Sequence, residues 1–145
     1  MAIFEHSAGG VVIAEENNKL FVLLLHTDKG KWVFPKGNIA PGEEKEKTAE
    51  REVREETGIR GNLILLGPLL SHQYFYRMKG EKEVRLKKVE LLLFRAEKRE
   101  SLSPQLKEGF WEALWLPLEE AKKRLTFEAD REALKKAKEL WQGLF

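Results

Sequence analysis

Three carboxylates, Glu52, Glu55 and Glu56, stand at i, i+3 and i+4 within GNIAPGEEKEKTAEREVREETGI, residues 37–59. On an α-helix that spacing stacks them on one face, each within reach of the others. Like charges held so close repel, so a fold that keeps them together is expected to lay a cation over them. The physical candidate is a hard divalent ion, since Mg²⁺ takes carboxylate oxygens, keeps several waters and is completed by substrate phosphates. Ala49 and Val53, one turn apart, give the same helix an apolar stripe for docking on a sheet, roughly opposite the Glu face. Gly58 is placed to end the helix in the left-handed conformation.

The flanking residues extend this into a longer pattern. Gly37 is followed after five residues by Glu43, then after seven by Arg51-Glu52-Val53, and then by Glu55-Glu56 and Gly58-Ile59. At average residue usage, G-x5-E-x7-R-E-U-x-E-E-x-G-U (U aliphatic) arises by chance on the order of once in 10⁹ starts. The stretch resembles the signature of the Nudix hydrolases at every fixed position. That resemblance implies an α/β architecture, the Nudix fold: an α/β/α sandwich with a central mixed sheet and the signature as a loop-helix-loop. It also implies a single Nudix hydrolase domain over residues 1–145 and a pyrophosphohydrolase acting on a nucleoside diphosphate linked to another moiety, X.

Composition is compatible with this and excludes other chemistries. At 145 residues there is chain for one real core. The absence of Cys removes a disulfide scaffold, a cysteine nucleophile and a zinc-thiolate site, and fits a reducing compartment. A formal net charge of +2 creates no global field toward nucleic acid or membrane. The longest apolar run, residues 20–25, is a strand length and far short of a span. The expectation is a cytoplasmic protein with a small nucleotide substrate, no membrane partner, no nucleic-acid partner, and nothing in the pattern that sets an oligomeric state.

Within the signature, Glu56 and Glu52 read as the principal ligands of Mg²⁺, with Mn²⁺ as a substitute, Glu55 next and the Gly37 carbonyl assisting. Pro35 holds the preceding residue extended, and Gly37 permits backbone geometry that turns its carbonyl to the metal. Glu43 and Arg51 carry opposite charges and are expected to pair, clamping the loop to the helix. One carboxylate must accept the proton of the attacking water, and Glu52 and Glu108 are the candidates. Many members of the family place an additional Glu about six residues before the aromatic of a late strand. Here that position is Gly109, so Glu108, one residue early in a loop, is the favoured equivalent and Glu112 the other.

Substrate preference rests outside the signature. Trp32 to Gly37, W-x-F-P-K-G, resembles the diadenosine polyphosphate hydrolase branch, in which a tyrosine commonly falls about 17 residues past the signature; Tyr76 is at that distance from Ile59. Alternation in LLSHQYFYR puts His72, Tyr74 and Tyr76 on one strand face, suited to stacking a base or holding phosphate, with Phe75 turned to the core. Lys36 is a candidate phosphate partner as a compact point charge. Lys82, in the basic hairpin with Lys79, Arg85, Lys87 and Lys88, is another. These residues favour Ap4A or Ap6A as substrate. The alternatives are an oxidised nucleoside triphosphate, the 5′ end of RNA, or, in another class, a non-catalytic nucleotide-sensing domain.

The remaining pattern predicts strands over Ile3–Ala14, Leu20–His26, Asn62–Leu66, Leu69–Arg77, Val84–Ala96 and a late strand near Phe110–Leu116. Gly9-Gly10 mark either a contact with the nucleotide or a kink in the first strand. Two helices follow, Pro117–Leu125 and Phe127–Phe145, the second apolar at Phe127, Leu134, Ala137, Trp141 and Leu144 and read as packing alone.

Overall fold

The structure, a computed structural model, describes residues 2–104 and 109–145. Strand β1 (Ile3–Glu16) turns at Asn17 and Asn18 into β2 (Lys19–Thr27). Both asparagines have positive φ, 52° and 64°, the conformation a two-residue hairpin turn needs and Asn tolerates. After β3 (Trp32–Val33) and β4 (Lys36–Asn38) comes α1 (Lys45–Thr57), ended by Gly58 at φ 78°. Then follow β5 (Leu63–Tyr76), β6 (Arg85–Ala96), β7 (Phe110–Pro117), α2 (Leu118–Arg124) and α3 (Glu128–Leu144).

The described strands make one mixed sheet in the order β3-β2-β1-β6-β5, with β4 added to β1 and β7 to β2. Only β1 and β6 run parallel; the other pairs are antiparallel. Period-2 alternation along β1 divides its side chains between two cores. Ala8 and Val12 join Ala49 and Val53 of α1 on one face, whereas Val11 and Ile13 join Ala121 of α2 and Leu134, Ala137 and Trp141 of α3 on the other. This is the expected α/β/α sandwich.

Gly9 and Gly10 do not interrupt β1, which pairs with β6 without a register shift from Ile3 to Ile13. A Cβ on Gly10 would lie 2.7 Å from Val53 Cγ2, and one on Gly9 2.5 Å from the Pro35 carbonyl oxygen. The pair lets α1 and the segment before β4 approach the strand backbone closely.

Three expectations are corrected. Gly67-Pro68 does not split its region into two strands: β5 is one 14-residue edge strand, and register shifts at Leu65/Gly67 and Pro68/Leu70 absorb the break. An edge position makes this possible, because Pro68 owes no hydrogen bond to a further neighbour. Phe75 is not core but 68% exposed. The α1 layer starts at Lys45, over Glu90, and leaves the row containing Phe75 uncovered. Phe127 and Leu144 stand half-exposed at the two ends of α3, whose buried stripe is Ala133, Leu134, Ala137 and Trp141. No helix among the described residues is long and apolar enough to cross a membrane.

Candidate active site

The short strand β4 lies at the centre of the site because its alternation serves both faces of the sheet. Gly37 is opposite Ala8, on the α1 side, and Lys36 is opposite Gly9, so its side chain falls on the α3 side. The Lys36 amide donates to Glu56 Oε2 at 2.8 Å, fixing the chain against the signature helix. A Cβ on Gly37 would stand 2.2 Å from Glu52 Cδ and within 2.5 Å of both its oxygens. Glycine is therefore what allows that carboxylate to close against the backbone.

Arg51 organises the loop. Its Nε and Nη2 donate to the two oxygens of Glu43, each at 2.9 Å, and Nη1 donates to Glu52 at 2.9 Å and Glu55 at 3.2 Å. The Thr48 hydroxyl adds a 2.6 Å bond to Glu43. With the guanidinium and hydroxyl donating to it, the Glu43 carboxyl is held down at about 2. Its folded pKa thus lies below the ordinary value, so the clamp contributes fully above about pH 4.5 and is lost as pH falls through about 2. A carboxyl-detected NMR titration should place the Glu43 midpoint near 2 in the wild type and return it to the ordinary range in Arg51→Met. A wild-type midpoint near 4.5 would remove the clamp.

The signature side chains offer only hard oxygen donors: Glu52, whose side chain is 12% exposed, the buried Glu56, the more open Glu55, and the Gly37 carbonyl. That chemistry and the Gly37 cradle fit a divalent ion of the Mg²⁺ type. Among the described residues no three His, Asp or Glu side chains are closed up around a common centre, and Glu52 and Glu55 turn onto Arg51. Glu108 lies outside the described residues. Glu112 is on β7, where its carboxylate meets His26 Nδ1 at 3.1 Å.

On the opposite face, Lys36 opens into a cavity of about 420 Å³ walled by His72 and Tyr74 of β5 and by Phe127, Glu128, Ala129 and Asp130 at the start of α3. Lys36 Nζ lies 5.6 Å from the Tyr74 ring centroid, and the His72 and Tyr74 rings stack with centroids 6.0 Å apart. Burial pulls the Lys36 ammonium below its usual pKa, opposed by Asp130 and Glu56. Burial pushes the Asp130 carboxyl up to about 6, with Lys36 and Arg131 pulling it back. His72 Nε2 is buried with no hydrogen-bond partner among the described residues, and burial plus the Lys36 charge lowers the imidazole's pKa. The cavity is therefore lined by a cation, a carboxyl of intermediate acidity and the stacked His72 and Tyr74 rings.

Other expected contacts lie outside it. Tyr76 continues the aromatic row, 5.9 Å from Tyr74, but its hydroxyl donates to Glu5. Lys82 is exposed in the turn between β5 and β6, away from the cavity walls. Asp130 and Phe127 are the residues sequence reasoning missed. An Asp in the first turn of a helix is ordinarily a partner of the helix dipole, so its position carried no separate signal.

The α3 wall is tied to the Lys36 segment through one residue of β3. The Trp32 amide donates to Thr126 Oγ1 at 2.8 Å, and the Thr126 amide donates to the Trp32 carbonyl at 3.1 Å. Thr126→Val removes one bond and strands an N–H, a cost of about 1–3 kcal/mol. Its Tm should fall and its KM rise about tenfold with kcat little changed, while Thr126→Ser restores both. An unchanged KM would make the tie purely structural.

The sequence model of the NUDIX domain family matches residues 5–137. An RNA pyrophosphohydrolase of Sphingopyxis alaskensis is 41% identical over 68 residues, covering 46% of this chain and 43% of that protein. The asymmetrical bis(5′-nucleosyl)-tetraphosphatase of Mus musculus is 42% identical over 53 residues, 35% of this chain and 36% of that one. The chain spans about half, or less, of the length of the curated relatives it matches. In three dimensions it superposes on a binary complex of the Caenorhabditis elegans Ap4A hydrolase with TM-score 0.76 and 25% identity, covering 96% of this chain and 98% of that one.

Proposed function

The chain belongs to the Nudix family, and from that premise we propose that it is a metal-dependent hydrolase of the diphosphate linkage in nucleoside diphosphate-X compounds, with dinucleoside polyphosphates such as Ap4A and Ap6A as its substrates. The observation that carries this reading is the double role of Lys36. Its amide is bonded to Glu56 of the signature, and its side chain lines a cavity with an aromatic wall. A nucleoside seated against Tyr74 and His72 puts its phosphates at Lys36 and on toward the glutamates.

Each residue then has a role. Glu52 and Glu56, with Glu55 and the Gly37 carbonyl, hold the divalent ions. Such ions, when bound, offset phosphate charge and make hydroxide available near neutrality. Arg51, anchored by Glu43, keeps the loop and the helix in register. Lys36 neutralises phosphate oxygen, and Tyr74 and His72 position the base. Glu52 or Glu108 accepts the proton of the attacking water. The rest of the catalysis is positioning and charge stabilisation, which phosphoryl transfer chiefly requires.

A second reading, pyrophosphate removal from RNA 5′ ends, is favoured by the likeness to the Sphingopyxis alaskensis protein over 68 residues. A panel of Ap4A, Ap6A, ADP-ribose, 8-oxo-dGTP and 5′-triphosphorylated RNA, compared by kcat/KM with Mg²⁺, separates them. The dinucleotides should lead ADP-ribose by about tenfold or more. Equal turnover of ADP-ribose sinks the dinucleotide reading, and dominance of the RNA substrate replaces it with the second.

A further inference from the structure

We propose that the uncovered sheet face at the β5–β6 end is a binding platform for single-stranded RNA, separate from the cavity and independent of which nucleotide is hydrolysed. Register puts Phe4, Leu86 and Phe75 side by side on β1, β6 and β5, and His6, Lys88 and Gln73 form the next row on that same face. Phe4 is 58% and Phe75 68% exposed, and the Phe4 and His6 rings lie 6.3 Å apart. The following row begins the covered part: there Glu90 is bonded to Lys45, the first residue of α1, and to His6. The result is a three-stranded surface with aromatic side chains exposed to solvent, the kind of platform on which unpaired bases stack.

The charge around it has the sign an RNA backbone needs. From residue 77 to residue 88 the hairpin carries six Lys or Arg against two Glu; Arg85 and Lys87 stand in the rows of Tyr76 and Tyr74 on the opposite face, which leaves Arg77, Lys79, Lys82 and Lys88 to this surface and its rim. Of the two acids, Glu81 is bound to Arg85. Lys88 lies within the platform, and Arg77, Lys79 and Lys82 are exposed along its rim. The Glu90 carboxylate is balanced by Lys45, so it adds little repulsion to phosphate.

Charge and size both argue against a second copy of this chain as the occupant. Two such basic surfaces repel each other, and the two Phe side chains expose only roughly 250 Å², against about 800 Å² per partner in a stable dimer.

The test is fluorescence anisotropy of the full chain with a labelled RNA about 12 nucleotides long, within the range of single-strand site sizes. The RNA carries a 5′-hydroxyl and so presents no phosphoanhydride. The wild type should bind with affinity that falls steeply as salt rises. Phe75→Ser and Phe4→Ser should each weaken binding about tenfold, and Lys88→Glu should weaken it and flatten the salt dependence. All three should keep wild-type kcat/KM on whichever small nucleotide is turned over, so a failure of this proposal reads separately from a failure of the substrate assignment. Absence of RNA binding overturns the proposal, as does binding unchanged in the three variants. Sedimentation showing a dimer that Phe75→Ser dissociates gives the face to a second copy and overturns it too, as does preferential binding to anionic phosphatidylserine vesicles over RNA.

Discussion

Glu56→Gln is expected to lower kcat by about three orders of magnitude while leaving Tm within a few degrees of the wild type, the scale on which removing one electrostatic contributor acts in a preorganised site. The substitution keeps the shape of a buried side chain, and the amide oxygen can still accept the Lys36 N–H that the carboxylate accepts at 2.8 Å. What it removes is a negative charge on the face where Glu52 and Glu55 also stand. Kinetics with Mg²⁺, beside a thermal melt of the same sample, separate chemistry from folding. A rate within about tenfold of the wild type would take Glu56 out of the catalytic centre.

Gly37→Ala should cost about a hundredfold in kcat/KM, the scale on which a misplacement of about 1 Å acts. Space, and not backbone strain, is the cause: the new methyl would sit 2.2–2.5 Å from all three atoms of the Glu52 carboxyl group. Because that group is the end of a flexible side chain, it can swing aside, so Tm should hardly move although the ligand geometry is lost. A double-mutant cycle checks the route. If the alanine acts through Glu52, Gly37→Ala combined with Glu52→Ala should be no worse than Glu52→Ala alone. Additive losses would show that Gly37 matters for another reason.

The parts legible in the sequence are those whose physics is local. The spacing of Glu52, Glu55 and Glu56, the docking pair Ala49 and Val53, and the stop at Gly58 all belong to one helix, and α1 forms as that pattern requires. The Glu43–Arg51 pair spans one loop and was readable from sign and distance along the chain. Tertiary context decided the rest. Whether Gly67-Pro68 ends a strand depends on whether the strand has a neighbour on its open edge. Whether Phe75 is covered depends on where α1 begins. Asp130 joins the candidate site only because α3 lies against β5 and Lys36, residues more than fifty positions away in the chain. Its apolar neighbours on α3 gave the same periodic signal that any packing helix gives.

The pleat of β4 has a consequence for how such a protein can change. One residue, Lys36, looks toward the cavity, and the next, Gly37, toward the glutamates, so on the proposed reading the groups that select the nucleoside and those that cleave its phosphates stand on successive pleats of one three-residue strand. On that reading, substitutions at His72, Phe127 or Asp130 redraw the shape of what enters without touching the carboxylates. Substrate preference is therefore free to drift among descendants that share one reaction, and a change of diet need not begin with a loss of catalytic power.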